Sequence, residues 1–162
     1  MPILLRRLIS DLISRRPGKA FDLDDPRLAV AALMFHVISV DGRVTPHEVN
    51  RWEEELARRF SLTIEEARAL AEAGRAAELE TADPASFTGR LQRGLTRAER
   101  HDVVRALWAL VLVDGAVQEF EDNAVWRIAD LLGIEARDRV MLRKEVETEH
   151  EAAALGTAED DR

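Results

Sequence analysis

Two segments 73 residues apart carry the same signature, and no other feature constrains the fold of this chain as strongly. Val40-Asp41-Gly42-Arg43-Val44 with Glu48 is echoed by Val113-Asp114-Gly115-Ala116-Val117 with Glu121. Each signature follows an apolar run and precedes a segment with helical spacing. The overlay also pairs Phe35 with Trp108, Val37 with Leu110 and Ile38 with Val111, so the apolar pattern is doubled as well as the polar one. Two copies of helix, Asp-Gly turn and helix predict an all-α fold. The expected form is a single compact helical domain of two pseudo-symmetric units, with about seven to eight helices and the two apolar runs in contact.

The runs from Leu28 to Val40 and from Val103 to Val113 are apolar on nearly every face, which marks helices surrounded by protein. Both fall short of the roughly 18 to 20 residues a spanning helix needs. Starts and stops are legible between them. Asp25-Pro26 opens the first buried helix, with the proline where a missing N–H costs nothing. Thr45 with Glu48, Thr63 with Glu66 and Thr96 with Glu99 have capping-box spacing, and Asp83-Pro84 is a further cap. The helix from Pro46 offers Val49, Trp52, Leu56 and Phe60 as its buried stripe, and a helix from about Glu119 to Leu132 and a last one from about Glu135 to Glu149 complete the set. Strand is disfavoured, because no stretch sustains period-two alternation. Trp52, Trp108 and Trp126 lie among apolar neighbours and read as core.

The ends differ from this body. In residues 1–20, Leu4, Leu5, Leu8, Ile9, Leu12 and Ile13 recur at helical spacing, and five basic side chains against Asp11 give a charge of +4. This is a basic amphipathic helix, suited to docking on the domain or to meeting an anionic membrane surface. Residues 21–149 form the helical domain, and residues 150–162 read as a disordered acidic tail. The net charge of −8 and the short basic patch disfavour nucleic acid and suit divalent cations or basic partners. There is no cysteine, so thiolate metal sites and cysteine nucleophiles are excluded. With no secretory signal legible, a cytoplasmic location is expected.

The turns carry the functional question. Gly42 suits a positive φ where a helix ends, and Glu48 is fully explained by the capping box. In the second copy Gln118 is a poor cap, yet Glu121 keeps the place of Glu48. The Gly-to-Glu spacing equals the second half of an EF-hand loop, but Val37 and Ser39 in one copy, and Leu110 and Leu112 in the other, occupy the first-half ligand positions. Neither loop can wrap an ion alone. If the turns meet, Asp41, Glu48, Asp114 and Glu121 supply four hard oxygen donors for Ca²⁺, Mg²⁺ or Mn²⁺.

A buried helix ending in Val-Asp-Gly-x-Val-x3-Glu, a Phe-Ser-Leu-Thr-x2-Glu-Ala connector (Phe60 to Ala67) and a second Trp-x4-Val-Asp-Gly-x5-Glu (Trp108 to Glu121) closely resemble the TerB-like tellurite-resistance family. The resemblance spans about Pro26 to Val146. It implies an all-helical fold and a role in metal-linked stress response, with acidic residues that bind divalent cations; Asp41, Glu48, Asp114 and Glu121 are the matching positions. Residues 1–20 are not part of that pattern.

Three functions therefore compete. The first is a non-enzymatic scaffold or sensor that binds a divalent cation at the turns and a protein partner. The second is a peripheral membrane adaptor using residues 1–20. The third is a hydrolytic enzyme in which the carboxylates work with His36, His47 or His101, although no nucleophile motif or phosphate-binding glycine loop accompanies them.

Overall fold

The computed structural model describes residues 21–22, 24–81, 83–112 and 117–160. Among these residues there are seven helices and no strands: α1 (Pro26–Ile38), α2 (Pro46–Phe60), α3 (Ile64–Thr81), α4 (Pro84–Gly94), α5 (Arg97–Val111), α6 (Glu119–Leu131) and α7 (Ala136–Asp160). The basic amphipathic segment 1–20 lies outside the described residues.

Helix α1 forms because Asp25 caps it, accepting the Arg27 N–H at 3.0 Å, and Pro26 takes the first position. It is central because nothing on it needs water. Every residue from Leu28 to Ile38 except His36 is buried, and α2, α3, α4, α5 and α6 all pack around it. Its one deeply buried charge, Arg27, is 1% exposed and is held by two-pronged hydrogen bonding to Asp25 at 2.7 to 3.2 Å. That pairing offsets the desolvation a lone guanidinium would suffer.

Closest approach occurs between α1 and α3. A Cβ on Gly74 would stand 2.7 Å from the Ala31 Cβ and 2.9 Å from backbone atoms of Ala31 and Ala32, so only glycine lets the two helices touch there. His36, on the same contact, places Nδ1 3.0 Å from Glu78 Oε1. It is thus a hydrogen-bonded residue at the edge of the core.

The capping boxes of α2 and α5 form in full, with side chain and backbone reciprocated, and Thr63 and Glu66 exchange the same pair of bonds at the start of α3. Trp52, Leu56 and Phe60 are buried as their spacing predicts, while Val49 is half-buried. Trp108 is buried and meets Trp126 edge-on, ring centroids 6.0 Å apart. Trp126 is half-buried at the foot of α7, with the Arg139 guanidinium 5.9 Å from its ring centroid.

One boundary differs from the sequence reading. The last helix does not stop near Glu149 but continues to Asp160, so residues 150–160 of the expected disordered tail are helical. Ala152-Ala153-Ala154-Leu155 is the physical reason, since these are strong helix formers that need no tertiary contact to continue an existing helix.

Candidate metal centre

Helix α1 ends in a tight turn: the Ser39 N–H donates to Phe35 O and the Gly42 N–H to Ser39 O, both at 3.0 Å. Gly42 has φ +82 with open space around a would-be Cβ, so its glycine answers to backbone conformation and not to crowding. Asp41 Oδ1 accepts the Arg43 N–H at 2.9 Å, which fixes the carboxylate over the turn. Glu48 Oε2 accepts the Thr45 N–H at 2.8 Å. Each of these acids thus has one oxygen held by backbone, and the second makes no hydrogen bond among the described residues.

Glu121 is different. It sits in the first turn of α6, whose N-cap Gln118 makes no side-chain cap bond, and Glu121 itself makes no hydrogen bond or ion pair among the described residues. Yet it is only 9% exposed. A glutamate at a helix N-terminus would ordinarily be favoured in its charged form by the helix dipole. Instead its pKa is raised above the ordinary value of 4.5, first by burial, then by the negative charges of Glu48 and Asp41. The structure therefore brings Asp41, Glu48 and Glu121 into one electrostatic neighbourhood, two from the first signature and one from the second. Asp114 lies outside the described residues.

A contact invisible in the sequence ties the first signature's helix to the end of α5. Arg51, on α2, donates to the Ala109 carbonyl at 2.9 Å and so fastens the helix after the first turn to the last turn of α5. Nothing in the residue pattern around Arg51 announces a partner 58 positions away.

The donor set is all oxygen, which fits hard divalent cations and not soft ones. A largely buried carboxylate within the influence of two other negative charges is a situation that such an ion relieves. Among the described residues, no group of three or more acidic or histidine side chains converges at ligand distance. The carboxylates are neighbours in charge but do not form a closed cage.

The histidines stand elsewhere or are engaged. His36 pairs with Glu78, and His47 is exposed on the first turn of α2. His101 lines a small depression with Arg97, Arg100, Gly133 and Asp138. Burial chiefly lowers its pKa, with Arg97, Arg105 and Arg100 adding to the shift and Asp138 opposing it.

The described residues form a small all-helical domain in which Asp41 after α1, Glu48 of α2 and Glu121 of α6 share one electrostatic neighbourhood. The chain belongs to the family described as Tellurite resistance protein TerB, whose model matches residues 27–144. No curated protein sequence matches it. Among solved structures it is similar to a crystal structure of a protein of unknown function, PG1108 from Porphyromonas gingivalis W83. The two share 16% identity with a TM-score of 0.57, over 78% of this chain and 98% of that one, a likeness of fold alone.

Proposed function

We propose that this chain is a non-enzymatic TerB-like scaffold or sensor, cytoplasmic and tied to stress response, that binds a divalent cation at its paired Asp-Gly segments and presents its helical surface to a protein partner. Asp41, Glu48 and Glu121 are the ligands on the described residues, and Asp114 is the fourth that the doubled signature predicts. The observation that carries the reading is Glu121: largely buried, without a cation partner among the described residues, and beside two further carboxylates. Ca²⁺, Mg²⁺ or Mn²⁺ are the ions its chemistry suits. The bound ion would link two segments far apart in sequence, which is how a cation can report on, or stabilise, a particular arrangement of α1, α2 and α6.

Calorimetric titration of the full chain with calcium and with manganese tests this. The wild type gives saturable heats, which Asp41→Ala/Asp114→Ala and Glu121→Gln each abolish. Equal heats for all three proteins would remove the site.

The second reading, a peripheral membrane adaptor, rests on the +4 charge and helical apolar spacing of residues 1–20. Among the described residues no helix is long and apolar enough to cross a membrane. Co-sedimentation with anionic liposomes, with and without residues 1–20, separates the two: equal pelleting ends the adaptor reading.

A further inference from the structure

Helix α7 runs for 25 residues, about 37 Å at the helical rise, yet among its described side chains only Leu142 and Val146 are buried. On its opposite side lie Arg137, Met141, Lys144, Thr148, Glu151 and Leu155, separated alternately by four and three residues, the spacing of a coiled-coil seam. Val140, Met141 and Leu155 are 44%, 48% and 70% exposed, large apolar side chains left in water on one outer face. A shallow groove of about 630 Å³ runs along it, lined by Arg137, Val140, Met141, Lys144 and Thr148 together with the acidic Glu145 and Glu149.

The charges on this seam are ordered. Arg137 and Lys144 stand in its first half and Glu151 in its second, and none of the three forms an ion pair among the described residues. Of the other nearby charges, Arg139 pairs with Asp130, Arg143 with Asp122 and Glu147, and Glu145 with Arg105, while Glu149 adds to the acidic second half. A face with exposed apolar side chains in each half, basic at one end and acidic at the other, is complementary to itself turned end for end. A parallel copy would set like charges against each other.

We propose that the outer face of α7 is a self-association surface on which a second copy of this chain packs antiparallel. The two-fold axis passes near Thr148, Met141 of each copy lies opposite Leu155 of the other, and Lys144 of each lies beside Glu151 of the other. The arrangement is isologous, so it closes as a dimer. It covers the exposed apolar side chains. It is independent of the cation reading, since α7 contributes none of the acidic ligands.

The chain has no cysteine, so introduced thiols report contacts without background. Full-length Met141→Cys and Leu155→Cys are mixed and treated with a short bis-maleimide. The antiparallel dimer yields the mixed product, while each variant alone yields little, its two thiols lying about 21 Å apart along the axis. Sedimentation of the unlabelled proteins supplies a second arm. Lys144→Glu weakens the dimer about tenfold or more, and Lys144→Glu/Glu151→Lys restores it to within about threefold of wild type. A monomer at all concentrations overturns the proposal. So does self-cross-linking of each variant alone, or a double variant no tighter than the single.

Discussion

The two signature segments share residue types and spacing but not employment. In the first, the turn and cap residues have folding roles: Gly42 takes the positive φ, Thr45 caps α2, and Glu48 closes the capping box. In the second, Gln118 makes no side-chain cap bond and Glu121, at the position equivalent to Glu48, is buried with nothing to hold it among the described residues. The helices before the turns differ in the same sense. α1 is enclosed on all sides, whereas α5 leaves His101, Asp102, Arg105 and Ala109 half-exposed, and Arg105 reaches out to Glu145 on α7. The lesson is that one spacing can be kept by two different forces. Glu48 can be accounted for by local helix energetics alone, and Glu121 cannot.

The enclosure of α1 is the part of this contrast with the largest expected effect. Gly74→Val drives side-chain atoms into Ala31 and the α1 backbone, so a loss of about 3 kcal/mol or outright misfolding is expected in urea titration. Ala98→Leu, on the exposed start of α5, changes stability by less than about 0.5 kcal/mol. Comparable losses at the two sites would erase the distinction between the helices.

Next in size is the capping difference. Thr45→Ala removes a formed box and costs about 1 kcal/mol, whereas Gln118→Ala removes no side-chain cap and costs only a few tenths. Their chemical-denaturation midpoints should separate accordingly. The converse change sharpens the point. Gln118→Ser supplies a cap with Glu121 three residues on, so thermal stability rises by about 0.5 to 1 kcal/mol, and calcium or manganese heats fall as Glu121 is drawn into the box. A stabilised variant with unchanged heats would separate Glu121 from any cation.

The smallest expected effect is the most diagnostic. Because the folded-state pKa of Glu121 is raised, the native state holds its proton more tightly than the unfolded chain does. Its contribution therefore favours folding at low pH and is lost as pH rises from about 4.5 through the raised value. Without divalent cation, Glu121→Gln raises the melting temperature by about one degree at pH 7 and flattens this part of the pH profile. Added calcium or manganese narrows the gap by stabilising the wild type. Glu48→Ala moves the other way, losing a cap bond, and an identical response of the two variants would make the segments equivalent after all.

Much of this was legible beforehand because it depends on neighbours in sequence. Thr45, Thr96 and Asp83 announce helix starts through bonds that reach two or three residues, and the apolar run from Leu28 to Val40 marks a buried helix without reference to its partners. The course of α7 beyond Glu149 was not legible in the same way, because an acidic, weakly apolar end and an alanine-rich helical end differ in a balance of small propensities and not in a pattern. Within the candidate site, the four acids could be nominated from spacing. That Glu121 is buried could not, since burial depends on where α6 comes to rest in the fold.

The sequence by itself determined that the chain is helical, where most helices begin, and that one acidic signature occurs twice, because these follow from local hydrogen bonding and apolar periodicity. Only the tertiary structure decided that α1 is the axis of the core, that Gly74 is the contact that permits it, and that Asp41 and Glu48 act on Glu121. Those outcomes rest on packing and on charges meeting across long sequence separations. The energy of such meetings depends on distance and desolvation in space, and neither quantity is written in the order of the residues.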